Sequence, residues 1–253
     1  MGLFTWWCEN ISVDSLKSGL VENDVNAVFF DLDGTLTDIN QREIEAIYGT
    51  VNHFGVRASR SRVKQACVQT PFYMDVFKKL GFELTQEAIH YWNSVFIKRY
   101  DLSKVRRGVK STLKVLSKNY TLACVTSRET SDEVFQELRF LHIDGLFDYV
   151  VTRDVAAKHL GLTSLPLFPF HEQRRRLYEC ALALAKCSPN NTIAIGDMAS
   201  ELKPARELGI TTIGLVTYKA RKNELKEASD IVISKITQLQ NVLLELGKSQ
   251  LVH

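Results

Sequence analysis

Val25-Asn26-Ala27-Val28-Phe29-Phe30-Asp31-Leu32-Asp33-Gly34-Thr35 is the stretch from which the fold can be read. Its apolar residues are consecutive rather than alternating, so both faces of the strand they form are covered, as in a parallel sheet. The run then stops at two aspartates and a Gly-Thr turn. Comparable runs recur at Tyr120–Thr126, Asp148–Thr152, Thr192–Ile195, Thr211–Val216 and Asp230–Ile233. Helical periodicity separates them at Gly108–Lys118, Ser131–Leu141, Arg174–Lys186 and Met198–Leu208, and returns at Ile236–Leu246. Strand alternating with helix predicts an α/β fold, a doubly wound, Rossmann-like parallel sheet with right-handed crossovers.

Between Thr37 and about Arg107 the pattern changes. No strand is evident there, and four amphipathic stretches follow one another: Gln41–Phe54, Ser61–Val68, Phe72–Leu80 and Thr85–Tyr100. One crossover does not need four helices. The reading is an all-helical cap domain at 39–107 inserted into a core domain formed by 1–38 and 108–253. Hinges fall near Thr37–Asn40 and Ser103–Gly108, and the apolar leader at 1–23, with Trp6 and Trp7, packs on the core.

Composition narrows the function classes. The chain has 253 residues, 45% hydrophobic and 24% charged, which excludes a disordered or fibrous protein. A formal net charge of +3 is too small to call for a nucleic-acid partner. No segment reaches the ~18 apolar residues of a membrane span. Five scattered cysteines form no metal-finger spacing and read as free thiols in a reducing compartment, with Cys124 and Cys180 in the core. The expected location is cytoplasmic, as a monomer or homodimer.

In an open α/β sheet, ligands bind beyond the carboxyl ends of the strands. The first strand delivers Asp31 and Asp33 there, two apart and therefore on one side, with Gly34 for the sharp exit and Thr35 to tie the turn. The second delivers Thr126 and Ser127, suited to phosphate oxygens. The fourth delivers Gly196 and Asp197, with Glu201 after them. Converging carboxylates repel unless a cation or a proton neutralises them, and Mg²⁺ is the natural partner of such a set.

The stretch Asp31-Leu32-Asp33-Gly34-Thr35-Leu36-Thr37-Asp38 resembles the first signature of the haloacid dehalogenase superfamily of phosphohydrolases. Thr126 is similar to its second signature, and Gly196-Asp197 with Glu201 to its fourth, in order from Val25 to the final helix. The helical insert resembles the cap of the phosphoglycolate phosphatase and β-phosphoglucomutase branch. The resemblance implies Asp31 as nucleophile, Asp33 as general acid and base, and Thr126 orienting the phosphoryl group. It implies Mg²⁺ held by Asp31, Asp33 (through its carbonyl) and Asp197, with Glu201 as an outer ligand. Gly34, Ser127, Arg128 and Arg175 are assigned to the small phosphorylated substrate.

The family's third signature, a lysine bridging nucleophile and phosphate, is where the chain departs. Counting forward from the third strand points to Lys158. Counting back from Asp197 lands beside Arg174-Arg175-Arg176. We assign the catalytic cation to Lys158, with one of the three arginines as the alternative. A carboxylate at Asp33 implies C–O–P cleavage, hence a Mg²⁺-dependent phosphatase. The alternatives are a phosphomutase of the β-phosphoglucomutase type or a non-catalytic binding protein on the same scaffold.

Overall fold

The computed structural model describes residues 25–70, 72–167, 169–217 and 222–248; the leader lies outside them. In chain order, β1 (Ala27–Phe30) and a two-residue β2 (Thr37–Asp38) lead into helices α1 (Asn40–His53), α2 (Arg60–Gln69), α3 (Tyr73–Lys79) and α4 (Gln86–Lys98). The chain returns through β3 (Lys104–Val105), α5 (Val109–Leu116), β4 (Thr121–Val125), α6 (Ser131–Phe140), β5 (Tyr149–Val151) and α7 (Arg153–His159). It continues as α8 (Phe170–Ala185), β6 (Thr192–Gly196), α9 (Ala199–Glu207), β7 (Thr211–Leu215), α10 (Lys222–Ala228), β8 (Ile231–Ile233) and α11 (Leu239–Lys248).

Six strands form one parallel sheet in the order β5-β4-β1-β6-β7-β8, as the apolar runs predict. The register decides the site: Phe30 pairs with Cys124 on one side and Ile195 on the other. The residues just beyond these pairs therefore leave the sheet side by side.

Alternate strand residues enter different cores, because successive side chains point to opposite faces. Val28, Phe30, Leu122, Cys124 and Ile195 pack under α5, α6 and α11 against Leu113, Leu138 and Leu243. Ala27, Phe29, Ala123, Val125 and Ala194 face α7, α8 and α9, meeting Ala156, Leu177 and Leu202.

Helices α1 to α3 enclose an apolar cluster of their own, including Ile44, Ile47, Val51, Val63, Val76 and Phe77. Their starts are capped where the sequence offers hydroxyls: Ser59 accepts from the Arg62 N–H and Thr85 from the Ala88 N–H, each at 3.2 Å. The chain enters and leaves this segment through β2 and β3, which pair antiparallel, Thr37 opposite Val105 and Asp38 opposite Lys104. Sequence periodicity missed this ribbon, as well as α7 and α10, all too short to carry a period. Among the described residues no helix is long and apolar enough to cross a membrane.

Candidate active site

The turn after β1 sets the first two acids. The N–H groups of Leu36 and Thr37 and the Thr37 hydroxyl all donate to the Leu32 carbonyl at 3.0 Å. Thr37 thus ties the turn, the part expected of Thr35. The Thr35 hydroxyl instead crosses to the next strand and donates to Asp197 Oδ1 at 3.2 Å, while the Thr217 hydroxyl donates to Asp197 Oδ2 at 2.8 Å. Gly34 has φ +93°, and a Cβ there would lie 2.6 Å from Asp197 Oδ2. Only glycine suits both the backbone and the close approach.

Asp31 sits at the floor of the site, 3% exposed. Its Oδ1 is 3.4 Å from Arg174 Nη1, and its Oδ2 is buried without a hydrogen-bond partner among the described residues. Glu201 Oε2 is buried in the same condition. Ligand atoms of Asp31, Asp197 and Glu201 all lie within 4.8 Å of one another, so the three could hold a metal ion. Burial pushes the Asp31 carboxyl up to about 8; Arg174 opposes the rise, and Asp197 and Asp33 add to it. Burial and then Asp31 likewise drive Glu201 well above the usual carboxylate range. Shared orphan oxygens and raised affinities for protons fit a hard divalent cation, which satisfies oxygen donors and cancels their repulsion.

Asp33 is held differently. Arg128 Nε and Nη2 each donate to one of its oxygens at 2.6 Å. Behind Arg128 stands Glu137, fully buried, 3.0 Å from Arg128 Nη1 and 2.5 Å from Arg42 Nη1. Arg42 also donates to the Phe96 carbonyl, and both guanidinium groups lie over the Phe96 ring, at 4.0 and 4.7 Å. Burial works against the charge on Arg128, but Asp33 and Glu137 more than offset it and raise its pKa. An ionic chain Asp33–Arg128–Glu137–Arg42 therefore runs from the end of β1, through α6, to α1.

Thr126, 2% exposed, accepts from the Arg128 N–H at 3.4 Å, and the Ser127 hydroxyl donates to Gln173 at 3.1 Å. These residues stand at the Asp31 end of a cavity of about 680 Å³ beyond the strand ends. Its opposite wall includes Tyr73, Trp92 and Phe96.

Of the assigned residues, the structure brings together Asp31, Asp33, Gly34, Thr126, Ser127, Arg128, Asp197 and Glu201. It does not bring Lys158 or Arg175. Lys158 is exposed on α7, whose Ala156 and Ala157 take the buried face. Arg175 is exposed and paired with Glu179 at 3.1 Å. The buried cation beside Asp31 is Arg174, whose Nη1 also donates to the Val125 carbonyl at 3.3 Å. Helix α8 starts directly after Pro169, before Arg174, so Arg174 heads the stripe Leu177, Tyr178, Ala181 that faces the sheet. That spacing was legible in the sequence and singles out one arginine of the three. Arg42, Glu137, Gln173 and Thr217 gave no comparable signal.

Comparison with known proteins finds relatives over most of the chain. Pyrophosphatase PpaX of Anoxybacillus flavithermus is 26% identical over 223 residues, 87% of this chain and 97% of that one. PpaX of Bacillus velezensis is 26% identical over 226 residues, covering 88% and 98%. Among solved structures, a haloacid dehalogenase-like hydrolase from Streptococcus pneumoniae superposes with TM-score 0.69 at 22% identity over 86% of this chain and 98% of that one. A predicted phosphoglycolate phosphatase from Haemophilus somnus gives 0.65 at 21% identity, over 87% and 99%. The sequence profile of the haloacid dehalogenase-like hydrolases matches residues 28–215, nearly the whole of the sheet and all of the helical segment, and the chain belongs to that family.

Proposed function

We propose that the chain is a Mg²⁺-dependent phosphatase that hydrolyses a small phosphorylated metabolite through Asp31. The observation that carries the reading is Asp31 itself, buried at the cavity floor with one oxygen beside Arg174 and the other without a partner among the described residues. Attack of the Asp31 carboxylate on phosphorus breaks the P–O ester bond and yields an acyl phosphate and the alcohol. Water then attacks phosphorus, returning the Asp31 carboxylate and inorganic phosphate. Asp33 gives a proton to the leaving oxygen and takes one from the attacking water. For this, one Asp33 oxygen releases its bond from Arg128 while the other keeps the carboxyl oriented.

Arg174 supplies positive charge beside the nucleophile, and Thr126 and Ser127 orient phosphoryl oxygens, since this chemistry is mostly positioning and charge stabilisation. Asp31, Asp197 and the Asp33 carbonyl would hold Mg²⁺, with Glu201 next to them. Bound there, the ion offsets the negative charge of carboxylate and substrate. Residues 39–107 act as a cap over the core, and closure about the paired β2 and β3 excludes bulk water. Cys124, Cys180 and Cys187 carry no disulfide among the described residues, which supports a reducing, cytoplasmic setting. The PpaX relatives, named for hydrolysis of pyrophosphate, support phosphoryl chemistry.

The test is phosphate release from a panel of phosphomonoesters with Mg²⁺ and with a chelator. Release that depends on Mg²⁺ and vanishes in Asp31→Asn is the expected result. No release from folded, Mg²⁺-loaded protein on any ester overturns the reading.

A further inference from the structure

The half of the cavity away from Asp31 takes no part in the phosphoryl chemistry, and its walls are aromatic. Tyr73 and Trp92 lie 4.2 Å apart and 3° from parallel, and Trp92 stacks in turn on Phe96 at 5.2 Å. Phe72 leans on Tyr73 at 5.2 Å and meets Phe170 of α8 edge-on at 6.3 Å. All five rings line the cavity. The Tyr73 hydroxyl and the Trp92 indole N–H are buried and have no hydrogen-bond partner among the described residues. Buried donors in native proteins are nearly always paired, so two orphans on one cavity wall point to acceptors brought by a ligand.

Charge narrows what that ligand is. The two arginines that reach the cavity are engaged, Arg128 with Asp33 and Glu137, and Arg153 with Glu129 at 3.3 Å and the Leu165 carbonyl at 3.2 Å. Glu43, 5% exposed, adds a carboxyl to the same wall. An anionic leaving group, such as the second phosphate of pyrophosphate or a carboxylate, meets no arginine or lysine among the described lining residues that is not already paired. The volume of about 680 Å³ is that of a drug-sized ligand site, for which roughly 300–1,000 Å³ is usual, and far exceeds what pyrophosphate fills.

We infer that the substrate is a phosphomonoester with an uncharged, ring-bearing leaving group. The ring rests against the Phe72–Tyr73–Trp92–Phe96 wall, and its acceptor atoms meet the Tyr73 hydroxyl and the Trp92 N–H. The inference rests on the phosphatase reading and names its substrate class. The reaction is ester plus water to alcohol plus inorganic phosphate, the alcohol oxygen leaving with a proton from Asp33.

The experiment compares kcat/KM of the full chain with Mg²⁺ on benzyl phosphate, ethyl phosphate and pyrophosphate; the two alcohols are of similar acidity. Benzyl phosphate should exceed ethyl phosphate by about tenfold or more, the scale on which a pocket reads a few buried carbons, and should exceed pyrophosphate as well. Trp92→Ala should bring the benzyl-to-ethyl ratio close to one, and Trp92→Phe should restore most of it. A pyridylmethyl ester at pH 8 should outdo the benzyl ester in the wild type and lose that advantage in Tyr73→Phe; no advantage in the wild type removes the donor assignment. Calorimetric binding of benzylphosphonate against methylphosphonate needs no turnover, and the benzyl compound should bind about tenfold more tightly. Equal ratios in both assays, or pyrophosphate as the preferred substrate, overturn the inference. Tight benzylphosphonate binding without phosphate release from any ester overturns the phosphatase reading and leaves the ring site standing.

Discussion

In the proposed reaction Asp31 faces two demands that conflict without a cation: it must be ionised to attack, and it is buried beside other acids. Its carboxyl is raised from 3.8 to about 8 in the metal-free protein. A carboxyl raised in the folded state contributes stability that is full below the unfolded value and is lost as pH rises through the folded one. Metal-free wild type should therefore lose thermal stability, relative to Asp31→Asn, as pH rises from about 4 to about 8. Thermal melts of both variants across that range measure the difference; a constant gap would contradict the assignment. Because Mg²⁺ and protons compete for the same oxygens, the rise in Tm on adding Mg²⁺ should be larger at pH 8 than at pH 5. Turnover should fall by several orders of magnitude in Asp31→Asn with the fold retained.

The same scale decides between the basic residues. Arg174→Ala removes the buried charge next to Asp31 and should cost on the order of 100-fold or more in kcat, a magnitude typical of losing one transition-state contact. Lys158→Ala should stay close to wild type. Steady-state kinetics on any accepted ester separates the two, and a severe loss at Lys158 with a mild one at Arg174 would reverse the assignment.

Among the elements, α1, α4 and α6 depend on one buried acid. Glu137 has 0% exposure, contacts Arg42 from α1 and Arg128 from the loop after β4, and both arginines cover Phe96 of α4. Removing one member of such a network leaves buried charge uncompensated, which costs about 3–5 kcal/mol. Glu137→Gln should lower the free energy of unfolding by that amount in denaturant titrations. It should also lower kcat, because Arg128 is what aims Asp33. A variant with full stability would mean that the three charges are solvated. The short β2–β3 ribbon makes no such contribution; with two residues in each strand, its role is to bring the two connections together where the chain passes between sheet and helices.

For the whole molecule, the cavity is the joint. One wall is the carboxyl edge of the sheet and the other comes from the helical segment, so a ligand that fills it touches both. Inorganic phosphate with Mg²⁺ should raise Tm more than either alone, since at a hundredfold excess over its Kd a ligand adds about 2.7 kcal/mol to the state that binds it. Independent effects of the two would mean separate sites. The aromatic half predicts a further gain when the phosphoryl compound carries a ring.

The parallel sheet, the helical insertion and the acids at the strand ends were legible from the chain alone, because apolar runs and turn residues are local patterns set by periods of two and 3.6 residues. Cys124 and Cys180 are in the core for the same reason. The strand order, and the register that sets Phe30 beside Cys124 and Ile195 and so Asp31 beside Thr126 and Asp197, were not legible in the chain and came with the structure. What the tertiary structure alone decided is pairing between distant side chains: Arg174 rather than Lys158 beside Asp31, Arg128 clasping Asp33, Glu137 between two arginines, and Tyr73 against Trp92. Such contacts have no sequence period, since they depend on where helices settle on the sheet after both faces are packed, and that placement is fixed by the whole core at once.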